Sequence, residues 1–285
     1  MSVNEKLQKV LAAAGFDSRR AIERAIASGE VTLNGECATL GVRVNAGDKV
    51  VYRGRFYTVP AAAEKETRVL IYNKPEGEIC SRSDPDGRTT VYDHLPALPT
   101  GRWISVGRLD INTSGLLLFT NDGELANKLM HPSSSVDREY LVRVHGTVTE
   151  EICALLMEGV MLDDGMAKFS DIRESKNNEH AQGTNRWYYC TVMEGRNREV
   201  RRLWESQELK VSRLKRVRYG NIFIPSYLRT GQLLELNDKE LSDLYQTAGL
   251  GAPKRRKFQP KIAETRARTE RKLKATGGRN KKKRF

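Results

Sequence analysis

The sequence predicts an α+β protein. It has a small N-terminal unit (1–60), a short linker (61–67), a larger unit built on a mixed, largely antiparallel sheet (68–250), and a disordered basic tail (251–285). Three observations carry this. Strand-like and helix-like stretches follow one another in mixed order with several adjacent strands, not in strict alternation. The run Pro60-Ala-Ala-Ala-Glu-Lys-Glu separates two apolar-patterned regions. The net charge of +13 is confined to one end: residues 252–285 hold 15 Lys and Arg against two Glu, and the other 251 residues balance at 34 of each sign. A segment so basic and so poor in apolar residues cannot bury a core of its own, and polyanions attract it.

The elements follow in order. Leu7, Val10, Leu11 and Ala14 have helical spacing and Gly15 ends that helix. Ser18 is placed to cap a second helix through Ile22 and Ile26, closed by Gly29, with Arg19, Arg20 and Arg24 on its polar face. Val31 and Leu33 alternate into Asn34-Gly35, a hairpin signal, and strand-like sequence continues to Tyr57. In the larger unit, strands are expected at 69–72, 103–106, 116–120, 139–144, 186–193 and 209–217, with helices at 124–130, 149–157 and 198–206.

Composition excludes several function classes. No run approaches the ~18 apolar residues of a membrane span, and the N-terminus has no apolar signal region. The four cysteines lie far apart without a CxxC pair and there are only four histidines, which argues against a zinc module or a disulfide framework and fits a reducing cytoplasm.

The most informative stretch is Gly107-Arg108-Leu109-Asp110-Ile111-Asn112-Thr113-Ser114-Gly115-Leu116-Leu117-Leu118-Phe119-Thr120-Asn121-Asp122-Gly123. It places one carboxylate, Asp110, between two buried strands, two residues after a cation. It resembles the GRLDxxTSGLLLxTNDG signature of the pseudouridine synthases that modify ribosomal RNA. Further segments match that family: Asn73-Lys74-Pro75-Glu76-Gly77, Arg138-Glu139-Tyr140, and Gly195-Arg196-Asn197-Arg198-Glu199-Val200-Arg201. In the last of these, Arg198-Glu199 stands where the wider superfamily has His-Gln. The first unit resembles the S4 RNA-binding domain through Ser18-Arg19-Arg20 and Val31-Thr32-Leu33-Asn34-Gly35.

The resemblance implies an enzyme that isomerises a uridine of 23S ribosomal RNA to pseudouridine. It would need no cofactor or metal, and would act as a cytoplasmic monomer on rRNA or a large-subunit assembly intermediate. The alternatives are the same chemistry on 16S rRNA or tRNA, and a noncatalytic ribosome-assembly factor. Asp110 would be the nucleophile, with an arginine, Arg201, holding its charge and Tyr140 stacked on the base. RNA contacts would come from Arg108, Arg19, Arg20, Lys74, Arg198 and Arg202, with Arg213, Lys215, Arg216 and Arg218 as further phosphate contacts. Arg108 would fill the gap left by an everted nucleotide. At 100° per residue, Arg198, Arg201, Arg202 and Glu205 share one helix face and Val200, Leu203 and Trp204 the other, so the basic face is expected outward or in a cleft.

Overall fold

A computed structural model describes residues 4–61, 66–176, 178 and 184–251. The basic tail from 252 and linker residues 62–65 lie outside the described residues.

In the N-terminal unit, helices Leu7–Ala13 and Arg19–Ala27 pack on a four-stranded antiparallel sheet. Its order is Glu36–Cys37, Val31–Leu33, Lys49–Tyr52, Arg55–Thr58. The Ser18 hydroxyl accepts from the Ala21 N–H at 3.1 Å, capping the second helix. Asn34 and Gly35 both take positive φ, 52° and 93°, as a two-residue hairpin turn requires. Leu7, Leu11, Ile22, Ile26, Val31 and Val50 form the core, and Arg19, Arg20 and Arg24 stay exposed.

The larger unit is organised by a nine-stranded sheet. Its main path runs Asp171–Glu174, Asn185–Val192, Arg138–His145, Lys210–Tyr219, Ser114–Thr120, Val69–Lys74, Leu233–Glu235. Ile104–Val106 and Ile222–Phe223 attach at its sides. The pairings are antiparallel except where Ser114 and Gly115 meet Lys215 and Arg216. This parallel pair joins two half-sheets. One half is covered by helices Gly123–Met130 and Asp238–Thr247 around Val69, Ile71, Leu116 and Leu118. The other buries Val142, Val144, Tyr188 and Cys190 with Leu203 and Trp204 of helix Glu199–Glu205. Tyr140 touches both the second core and the one around Tyr72 and Phe119.

The fold class is as the sequence predicts. Several short elements carried no expectation: the hairpin Val160–Leu162/Gly165–Ala167, strands Asp171–Glu174 and Leu233–Glu235, and helix Asp238–Thr247. The last had a readable signal, since Asn237 and Glu240 form a reciprocal capping box.

Candidate active site

Asp110 lies on the turn between strands Ile104–Val106 and Ser114–Thr120, and its backbone is fixed from several sides. The Thr113 N–H donates to the Asp110 carbonyl at 3.0 Å, and the Gly77 N–H to the Ile111 carbonyl at 2.8 Å. Two buried cations complete the clamp. Lys74 Nζ donates to the carbonyls of Pro75 at 2.9 Å, Thr113 at 3.0 Å and Asp110 at 3.3 Å. Arg201 donates from Nη2 to the Asn112 carbonyl at 2.8 Å and from Nη1 to the Val211 carbonyl at 2.9 Å. Among the described residues the Asp110 carboxylate itself accepts no hydrogen bond and has no cation within 4.0 Å. The loop is held by its main chain and the reactive group is left free. Its charge is still felt: burial pushes the Arg201 pKa down, Arg198 adds to this, and Asp110 pulls it back up.

The adjoining cavity, about 780 Å³, is lined by Arg108, Asp110, Tyr140, Arg198, Leu214 and Arg216, among others. Its shape depends on one close approach. Gly115 has φ +98°, and a Cβ there would stand 2.2 Å from the Arg216 carbonyl oxygen, so the glycine lets the two half-sheets meet.

The structure thus brings together Asp110, Tyr140, Arg108 and Arg198, with Arg201 behind the loop. Arg108 is exposed, and the Arg198 side chain is 42 % exposed with only a 3.7 Å contact to Glu205. Arg19 and Arg20 lie on the other unit, outside the cavity lining.

Three expectations need correcting. Lys74 is wholly buried and its ammonium is spent on three carbonyls, so it holds the Asp110 loop and reaches no phosphate. Arg202 lays both Nη groups on the Asp164 carboxylate at 2.8 and 2.9 Å, anchoring its helix to the Val160–Ala167 hairpin, and is absent from the cavity lining. Arg201 does not share an outward basic face with Arg198. It is 7 % exposed, because carbonyls from a neighbouring strand and loop replace water around it.

Three cavity residues went unnoticed as site residues. Arg138 donates to the carbonyls of Val136, Met193 and Glu194 and, at 3.2 Å, to the Tyr219 hydroxyl. It lies two residues before Tyr140 on one strand, so alternation alone puts both on one face. The Tyr219 ring is flanked by the guanidiniums of Arg138 at 5.0 Å and Arg216 at 5.3 Å. Glu199 is buried in the cavity wall, and burial raises its pKa against weaker lowering by the Arg196 N–H and nearby arginines.

Comparison with known proteins bears on the family and the fold. The model of the RNA pseudouridylate synthase family matches residues 68–206, and that of the S4 domain matches residues 5–50. The ribosomal large subunit pseudouridine synthase B of Pseudomonas aeruginosa is 60 % identical over 248 residues, covering 87 % of this chain and 64 % of its own length. The Haemophilus influenzae protein of the same name is 53 % identical, with 93 % and 74 % covered. That of Vibrio cholerae is 55 % identical, with 87 % and 76 % covered. A crystal structure of a pseudouridylate synthase superposes with a TM-score of 0.57 at 26 % identity, covering 84 % of this chain and 99 % of that one. The chain belongs to the RNA pseudouridylate synthase family and carries an S4 domain ahead of the catalytic fold. It spans just under two thirds of the Pseudomonas relative and about three quarters of the other two. No helix among the described residues is long and apolar enough to cross a membrane.

Proposed function

We propose that this chain isomerises a uridine of large-subunit (23S) ribosomal RNA to pseudouridine, in the cytoplasm and as a monomer, with Asp110 as the nucleophile. The supporting observation is an unpaired carboxylate on a loop that Lys74 and Arg201 lock through its carbonyls, at the edge of a cavity shared with Tyr140. The relatives' names supply the RNA class.

The reaction breaks the bond from uracil N1 to ribose C1′ and rejoins C1′ to C5 of the same base. No electron acceptor or group donor is consumed. A target within a helix or stacked loop is out of reach, so the nucleotide is extruded into the cavity, and exposed Arg108 is placed to stack on the neighbours left behind. Tyr140 supplies an aromatic wall for the base. Because the Asp110 carboxylate has no partner to surrender among the described residues, approach to the nucleotide costs no broken ion pair there.

Tritium release from transcripts carrying 5-tritiated uridine tests reaction and substrate together. Release is expected from 23S but not 16S rRNA or tRNA. Asp110→Asn is expected to lower it by at least about 10⁴-fold while RNA binding persists. Release from 16S rRNA or tRNA instead would reassign the substrate. Binding without release from any transcript would leave a noncatalytic RNA-binding factor.

A further inference from the structure

Arg216 stands out among the buried groups. It is 2 % exposed, yet it lines the cavity that holds Asp110 and Tyr140. Nε donates to the Leu116 carbonyl at 2.7 Å, which fixes the plane of the guanidinium. Nη2 is buried and has no hydrogen-bond partner among the described residues. Among the described residues no carboxylate lies within 4.0 Å of it. A buried charge with an unmet donor is costly, and it persists where something outside the chain supplies the acceptor.

Position says what that acceptor is. Arg216 is the cross-strand partner of Tyr140 and pairs on its other side with Gly115, so it sits at the junction of the half-sheets. Exposed Arg108 and half-exposed Arg198 line the same cavity nearer to solvent, where a charged phosphate keeps its hydration. The flat base is the part of a nucleotide that gains from going deep beside Tyr140.

We propose that Arg216 is a further catalytic residue of the reaction inferred above, on which this assignment rests: its free Nη2 donates to a carbonyl oxygen of the everted uracil and stabilises the negative charge the base acquires. The bookkeeping requires such charge. When C1′–N1 breaks, the bonding pair leaves with the base, giving a uracil anion with its charge spread over N1 and the carbonyl oxygens. The pair is used again when C5 displaces the Asp110 carboxylate that had added to C1′, which leaves the ring neutral; the C5 proton then departs and N1 takes one up, restoring the conjugated ring. A fixed donor in a dry site stabilises that anion more than the neutral ground state, and removal of one such donor costs about 10²–10³-fold.

The test compares two target nucleosides in an otherwise identical 23S transcript, uridine and 5-fluorouridine. The fluorinated base is the more stable anion; it has no C5 proton to lose, so after C5 bonds to C1′ its ring keeps the fluorine and adds water across the N1–C6 double bond instead. Single-turnover rearrangement is followed by nucleoside chromatography after digestion, and RNA affinity is measured separately. Arg216→Met is expected to slow uridine about 100-fold, to slow 5-fluorouridine distinctly less, and to leave the dissociation constant within about threefold. Equal slowing of both nucleosides would mark a merely structural residue and overturn the proposal. So would weakened binding with an unchanged rate, the pattern of a phosphate contact. If Arg216→Met melts below the assay temperature, Arg216→Lys carries the same comparison: it keeps a charge but not the Leu116 bond. A wild-type chain that turns over neither nucleoside would count against the reaction itself.

Discussion

The floor beneath the Asp110 loop and the rim of the cavity are both basic, but their cations do opposite work. On that floor Lys74 and Arg201, behind the loop and outside the cavity lining, and Arg216, which lines the cavity, are buried, and they donate to main-chain carbonyls: Pro75, Asp110 and Thr113; Asn112 and Val211; Leu116. On the rim and the S4 helix, Arg108, Arg198, Arg19 and Arg20 face solvent. Buried cations are tolerated because carbonyl fans offset part of their desolvation, and the charges of Lys74 and Arg201 interact with Asp110 through protein instead of salt water. The exposed ones suit a polyanion whose phosphates they neutralise. Counting arginines cannot separate the two groups. Knowing what each guanidinium donates to can.

The sharpest way to break the floor is at its seam. Gly115→Ala would force a Cβ to 2.2 Å from the Arg216 oxygen at φ +98°. Overpacking and left-handed strain together cost on the order of 3 kcal/mol. A urea melt should show that loss, or no folded protein at all. A change under about 1 kcal/mol, within the range of tolerated core swaps, would mean that the half-sheets do not meet this closely.

Arg201→Met comes next. It removes the donors to Asn112 and Val211 and loosens the loop that aims Asp110. A misplacement near 1 Å costs about 10²-fold in rate, so single-turnover rate should fall by that order with RNA affinity and its salt dependence unchanged. A shallower salt slope would show that Arg201 contacts phosphate and belongs with the rim. Arg108→Ala should do the reverse. Affinity weakens, the slope of log K against log salt falls by about 0.7–0.9, and stability is untouched because its side chain is exposed. An unchanged slope would remove Arg108 from the rim.

This division explains what was legible in the sequence. A contiguous apolar run placed the strand through Leu116, alternation the strand through Val142, and a capping signal the helix after Ser18, because those patterns follow local geometry. The Asp110 motif was legible as a contiguous run. The role of Lys74 was not, since its acceptors include residues almost forty positions away, and burial is set by the fold. Helical spacing grouped Arg201 with Arg198 and Arg202, yet the three have different partners: carbonyls, a loose contact to Glu205, and Asp164. A helical wheel gives direction but not what waits there. Arg216 read as one basic residue in a basic strand, and only the register against Gly115 and Tyr140 singles it out.

The smallest expected effect probes the one buried carboxylate in the cavity wall. Glu199 opens helix Glu199–Glu205 and receives only a 3.4 Å contact from the Arg196 N–H. Burial raises its pKa and the nearby Glu194 adds to this, while Arg196 and Arg138 oppose it. With the folded pKa above the unfolded one, its contribution to stability is fully present below the ordinary Glu value and is lost as pH rises through the folded pKa. Glu199→Gln keeps the acceptor and removes the charge. The variant should therefore melt about 2 °C higher than wild type at pH 7, the scale of under 1 kcal/mol in a domain this size, and the two should converge in acid below the ordinary Glu pKa. A variant less stable at pH 7 would mean that Arg138 and Arg196 outweigh desolvation. The wall would then behave like the floor reversed, a buried anion stabilised by the cations around it.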